Sequence, residues 1–226
     1  MKRRNLVLIA YVLICRMITA QDSADYVAYT PEYHFRDGIF TSIERVKNND
    51  PIPKSVIISS ADYDDPDFFE RVLHEKEVTF FDNLGTTQKI PAENIWGYSQ
   101  NGALYININE GFYRINIIGS ICHFVANLTT YSSYYNPYSP YSYPYSYPYS
   151  PYYTPNTKST EMHQYIMDFN TGTVYDYDVP AIEVLLMADP ELYDQFMALS
   201  KRKKKQQKFL FIRTFNERHP LYLPVK

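Results

Sequence analysis

The sequence predicts an α+β fold: an antiparallel β-meander, able to curl into a small open barrel, covered by C-terminal helices. Three observations carry this. Between Glu77 and Ala126 apolar residues recur with a period of two, the period of strands that bury one face. Inside that stretch Asn101-Gly102 separates two alternating segments. Asn-Gly suits a type I′ hairpin, in which both central residues need positive φ. From Val179 onward the spacing changes to that of helices, with Leu192, Phe196 and Leu199 on one face. Runs of strands followed by runs of helices favour this class.

Residues 1–20 have the three-part plan of an export signal. Lys2, Arg3 and Arg4 precede the apolar run Leu6 to Cys15, and Ala20 offers a small residue for cleavage. The run is too short to span a bilayer, which needs about 20 residues. The bulky Ile14 before Cys15 argues against a lipid-modified cysteine. The expected location is the periplasm or exterior of a Gram-negative bacterium. Cleavage would remove four basic residues and no acidic one, taking the net charge from -3 to -7. An acidic chain is a poor general partner for nucleic acid. Only Cys122 would remain, so no internal disulfide is expected and stability must come from packing. Its neighbours Ile121 and Phe124 mark Cys122 as a core residue.

Residues 21–36 are polar and predict a flexible N-terminal segment. Residues 37–226 predict a single α+β domain. Asp37-Gly38-Ile39-Phe40 turns into the first strand, Ser42 to Lys47 suits a helical turn, and Asn48 to Pro53 is a loop by composition. Val56 to Ile58 suits a short strand. Asp65 and Pro66 are placed to cap and begin a helix whose face is Phe68, Phe69, Val72 and Leu73. In the meander Val78 to Phe81, Ile95 to Tyr98, Leu104 to Ile108, Tyr113 to Ile117 and Ile121 to Ala126 are strands. Leu104, Ile106 and Ile108 form the core side; Tyr105, Asn107 and Asn109 form the other. Strand pattern resumes at Tyr165 to Phe169, turns at Asn170-Thr171-Gly172 and continues through Val174-Tyr175. Val179 to Met187 predicts one helix, Asp189-Pro190 caps a second, and Phe209 to Arg218 predicts a last helix, with a strand as the alternative, that Pro220 ends.

Residues 131–155 interrupt this pattern. They hold 11 Tyr, 6 Pro and 6 Ser and no aliphatic residue, so they cannot build a core, and the prolines block ladder pairing. The expectation is an extended, inserted loop. If extended, Tyr141, Tyr143, Tyr145, Tyr147 and Tyr149 line one side, a row able to stack on sugars or adhere to a surface. Tolerated repeat expansion in a surface loop is the plainer account.

The ordered series of motifs resembles a family of small exported bacterial proteins of unknown function. The segments are Asp37-Gly38-Ile39-Phe40 with Asn48-Asn49-Asp50-Pro51; Asn94-Ile95-Trp96-Gly97-Tyr98 with Asn101-Gly102; Gly119 with His123-Phe124; Asp189-Pro190-Glu191-Leu192-Tyr193; and Phe215-Asn216-Glu217-Arg218-His219-Pro220-Leu221-Tyr222. The resemblance covers most of the chain outside residues 1–20 and the tyrosine tract, and implies no activity, ligand or catalytic residue.

Motifs for specific chemistries are missing. Asp62, Asp64, Asp65 and Asp67 suggest calcium, but counting from Asp62 puts Asp67 and Leu73 where an EF-hand needs Gly and Glu. His34, His74, His123, His163 and His219 lack the spacing of a helical metal pair. There is no nucleophile elbow, dinucleotide fingerprint or P-loop. Trp96 beside a turn suits core packing, with a sugar platform as the alternative. Lys201, Arg202, Lys203, Lys204 and Lys205, with Lys208, form a basic run. It reads as a solvated helical face, or else as a contact for lipid or lipopolysaccharide phosphate. Placed near a helix end, such charge would suit the helix dipole. The reading that follows is an exported, non-enzymatic protein that binds a protein or glycan partner, without cofactor. Two others stay open: an envelope hydrolase whose site is assembled from loops, and a structural protein held peripherally at a membrane by the basic run.

Overall fold

A computed structural model of the chain describes residues 25–109, 111–132 and 157–225. The expected export segment 1–20 and the row Tyr141, Tyr143, Tyr145, Tyr147 and Tyr149 lie outside the described residues. In chain order the elements are β1 (Tyr26–Ala28), β2 (Gly38–Phe40), α1 (Ile43–Lys47), β3 (Ile52–Pro53), β4 (Ile57–Ile58), α2 (Phe68–Leu73), β5 (Glu77–Phe81) and β6 (Thr87–Pro91). They continue with β7 (Gly97–Gln100), β8 (Ala103–Ile108), β9 (Gly111–Ile117), β10 (Ile121–Ser132), β11 (Thr157–Asp168) and β12 (Val174–Asp176). The chain closes with α3 (Val179–Leu186), α4 (Pro190–Met197), α5 (Lys201–Arg218) and β13 (Tyr222–Pro224). No helix among the described residues is long and apolar enough to cross a membrane.

The predicted α+β class is what the chain adopts. Its centre is an eight-stranded antiparallel sheet in the order β12-β11-β10-β9-β8-β7-β2-β3. The sheet stays open, so the barrel curl is not realised. Its edges are short, three residues in β12 and two in β3. β3 ends in Pro53, which has no N–H to extend the ladder. The Asn101-Gly102 turn forms as expected, with φ of 52° and 75°, and joins β7 to β8 with Gln100 opposite Ala103.

The sheet buries both faces, not one. Adjacent residues Ile39 and Phe40, Ile121 and Cys122, and Ile166 and Met167 point to opposite sides, and all six are buried. On one side lie Phe40, Leu104, Ile106, Ile115, Cys122, Phe124 and Met167. Residues 25–36 help to cover them, which corrects the expectation of a flexible segment there. β1 pairs with β13, Phe35 is buried, and the Tyr33 hydroxyl donates to the Pro224 carbonyl at 3.0 Å. The other side carries two separate caps. α2 and the small sheet β4-β5-β6 cover Ile39, Tyr98 and Tyr105. The three C-terminal helices cover Ile121 and Ile166.

Several local expectations shift. α2 begins at Phe68, later than Asp65 and Pro66 suggested. Asp65 instead accepts from the Asp67 N–H at 2.9 Å and pairs with Arg71 at 2.8 Å. β10 and β11 run beyond the expected strand limits and pair up to Ser132 and Thr157. The tract expected as a loop from residue 131 is therefore joined to the ends of a two-stranded ribbon. The basic run and Phe209 to Arg218 form one continuous helix, α5. Ser200 caps it by accepting from the Lys203 N–H. Lys204 is buried, 2.7 Å from the Glu183 carboxylate and 5.3 Å from the Phe196 ring centre. The run is thus not uniformly solvated.

Most of the motif series is explained by packing. The Asn216 amide accepts from the Ile121 N–H and donates to the Ile121 carbonyl, both at 2.8 Å, tying α5 to the start of β10. Gly119 lies directly against that amide, and a Cβ there would meet it. A Cβ on Gly97 would run into the Tyr105 carbonyl. Asp189 caps α4 at the Leu192 N–H (3.0 Å) and also holds Arg218 (3.3 Å) and His219 (3.1 Å).

Asn216→Ala removes both bonds to Ile121 and leaves partly buried backbone groups unpaired; it should cost about 2 kcal/mol in urea unfolding. The capping N–H of Leu192, with His219 and Arg218, holds the Asp189 carboxyl below its usual 3.8. Its contribution to stability is therefore present above pH 3.8 and is lost as pH falls through the lowered value. Acid titration of stability should be shallower in Asp189→Asn than in the natural chain.

Candidate ligand-binding cleft

The gap between the two caps creates the site. Tyr105 on β8 pairs with Arg114 on β9. Arg114 and its neighbour-but-one Asn116 are exposed, although the first cap still packs against Phe112 at the start of the same strand. Beside this strip, under the edge of the first cap, lies a cleft of about 750 Å³. Its floor is Tyr98, Tyr105 and Phe112, and its walls include Glu70, Glu75 and Glu93. A smaller hollow of about 390 Å³ continues past the same rings and adds Asp67, Gln100 and Arg114. A third hollow, about 450 Å³, is lined by Tyr26, Glu44, Lys47 and Tyr222 among others. There Glu44 and Lys47 already pair at 2.9 Å, so little charge is left to hold a ligand.

Local sequence places each wall. Phe68, Phe69, Val72 and Leu73 bury one face of α2, which leaves Glu70 beside the cleft. The β5–β6 loop is closed by Asp82, which accepts from the Leu84 and Thr86 N–H groups at 2.9 and 2.8 Å and from the Gln88 amide at 3.1 Å. These bonds lower the Asp82 pKa, the Thr86 N–H most. Glu93 sits on a single 3₁₀ turn, Ala92–Asn94. The Asn107 amide fastens that turn to the sheet by donating to the Ile95 carbonyl at 3.0 Å and the Ala92 carbonyl at 3.4 Å.

The floor is a stack. Tyr98 lies 5.3 Å from Phe69 and 4.5 Å from Tyr105, the two tyrosine rings being parallel within 4°. Tyr98 is buried and Tyr105 is only partly buried, so Tyr105 is the ring offered to a ligand. Burial, then Tyr105, Glu70 and Asp67, push the Tyr98 phenol well above its ordinary value, and it stays neutral. The Glu70, Glu75 and Glu93 carboxylates have no hydrogen bond or ion pair with another described residue. Glu77 is engaged by Lys89 at 3.0 Å. A partly buried aromatic ring beside unpaired acceptors can stack on the apolar face of a sugar and accept from its hydroxyls. It repels anions.

The residues singled out from sequence are mostly elsewhere. Trp96 is half-buried against the core, and its backbone is held by Phe40 (3.0 Å) and Asn107 (2.8 Å). Cys122 is buried, and burial pushes its thiol up to about 12, so it is no nucleophile. The Asp62 and Asp65 carboxylates accept from backbone N–H groups of their own turn. No group of His, Cys, Asp and Glu suited to a metal occurs among the described residues. The His219–Asp189 pair ties α5 to α4 and lines none of the three hollows. Sequence reasoning missed Tyr105, Glu70 and Glu93. The available signal was Tyr105 itself, a large ring on the face otherwise marked by Asn107 and Asn109. Comparison of the chain with protein-family models, with curated proteins and with solved structures finds no match in any of the three, and the cleft is interpreted from its own chemistry.

Proposed function

We propose that this is an exported, non-enzymatic binding protein that takes a neutral or amino-bearing oligosaccharide in the cleft floored by Tyr105. The observation that carries the reading is the partly buried Tyr105 ring, backed by Tyr98 at 4.5 Å and lining one cleft with the Glu70, Glu75 and Glu93 carboxylates. The backing ring fixes the platform before a ligand arrives, so little ordering cost remains at that position. The acidic rim selects against uronates and sulfated sugars by like-charge repulsion. Export and an envelope location belong to this proposal; they rest on the charge and apolar pattern of residues 1–20.

The test is calorimetric titration with a panel of neutral, amino-bearing and uronate oligosaccharides. Binding is expected for the first two classes and not for the third. Tyr105→Ala should weaken it by about tenfold, equivalent to about 1.4 kcal/mol. Glu70→Gln and Glu93→Gln should weaken amino sugars more than neutral ones. Uronate binding equal to neutral binding would sink the reading. Hydrolysis of a bound oligosaccharide, lost in Glu70→Gln or Glu93→Gln, would replace it with a hydrolytic one.

A further inference from the structure

The solvent face of α5 has a composition that its fold does not require. The helix spans 18 residues, Lys201–Arg218, and has no acidic residue in its first turn. Lys201, Arg202, Lys203 and Lys205 are exposed there and make no ion pair with a described residue. They stand at the positive end of the helix dipole, where cations are unfavourable, and Lys201 and Lys205 repel each other at i, i+4. This reverses the expectation that the run would suit a helix end. The cations that serve the fold are Lys204, bound to Glu183, and Lys208, which donates to the Tyr177 carbonyl at 2.6 Å. The other four make no ion pair and carry only the local cost of crowding one another at the positive end of the helix.

The same helix also exposes two large apolar side chains. Phe209 is 45 % and Leu210 is 55 % exposed. At 100° per residue Phe209 falls on the line of Arg202 and Lys205, and Leu210 on the line of Lys203. The only acid of the helix, Glu217, lies at its far end and is taken by Arg213 at 2.9 Å. The apolar face of α5, Phe211, Ile212 and Phe215, is buried in the second cap, so what the helix offers outside is a basic patch with two exposed apolar neighbours, a surface suited to anionic lipid headgroups. The charges meet lipid phosphates while the apolar groups enter the acyl boundary.

We propose that α5 is a peripheral docking surface for an anionic phospholipid bilayer, with Lys201, Arg202, Lys203 and Lys205 as phosphate contacts and Phe209 and Leu210 as shallow anchors. The proposal is independent of the sugar cleft, which sits under the other cap.

The experiment is sedimentation of the full chain with vesicles of phosphatidylglycerol and phosphatidylethanolamine, against phosphatidylcholine alone. The natural chain and its variants are run side by side, so that any contribution of the apolar segment 6–15 is common to all. Circular dichroism of each variant checks that the fold is kept. The natural chain should sediment with the anionic vesicles at least about tenfold more tightly than with the neutral ones, and the difference should shrink in high salt. Changing Lys201, Arg202, Lys203 and Lys205 together to Gln should remove at least about tenfold of the affinity for anionic vesicles. Leu210→Ser should weaken binding while leaving its salt dependence in place. Equal binding to both vesicle types, or anionic binding untouched by the fourfold change, would overturn the proposal. So would binding to soluble heparin but not to vesicles, which assigns the surface to a polyanionic polymer, or a Leu210→Ser variant that binds vesicles as the natural chain does, which removes the apolar anchors.

Discussion

Everything in this fold follows from a sheet that is apolar on both faces. In β2, β10 and β11 neighbouring residues point to opposite sides and are both buried, so neither face can be left to water. On one side the cover is made from the two ends of the described chain and α1. On the other it is made from two insertions into the strand order, one between β3 and β7 and one after β12. Two caps of independent origin do not meet over the centre. The strip left at β9 is where Arg114 and Asn116 reach solvent and where the cleft opens. The site is thus a consequence of how the sheet is covered.

The meander was legible in the sequence because its determinants are local. Asn101 and Gly102 both take positive φ in the turn that their side chains favour. The α3 and α4 starts follow from Asp178 and Asp189, each accepting from the N–H three residues on. The packing of Phe68, Phe69, Val72 and Leu73 followed from spacing alone. What was not legible depends on long-range pairing. Tyr26-Val27-Ala28 is too short for a period, and it becomes a strand because Tyr222 to Pro224, at the far end of the chain, pairs with it. The second buried face was hidden for a related reason. Tyr105 alternates with Leu104 and Ile106 and so looks solvent-facing, until α2 and its sheet are laid over that side. A tyrosine, with a wide apolar ring and one hydroxyl, satisfies either environment.

The candidate site was barely legible for the same physical reason. Glu70, Glu93 and Tyr105 come from a helix, a 3₁₀ turn and a strand, and no spacing in the sequence links them. The aspartates around residue 65 stood out as a cluster, yet they are used by their own turn. Density of one residue type along the chain reports local backbone demand, whereas a site is set by convergence across elements.

The two proposed surfaces also divide the charge of the molecule. Acidic side chains without ion pairs gather under the first cap, and unpaired cations gather on the last helix of the second. A charge distribution of this kind gives the molecule an electrostatic axis, although its net charge is small. An anionic surface would draw α5 toward itself and repel the cleft, so docking and orientation come from one field. For a neutral sugar, contacts at the cleft would rest on stacking and hydrogen bonds, which salt affects little, while the helix would rely on charge, which salt screens over about 8–10 Å. Ionic strength would then release the protein from the surface without emptying the cleft. Separation of the two functions in this sense requires the caps to be distinct bodies of packing, which the two-faced sheet already imposes.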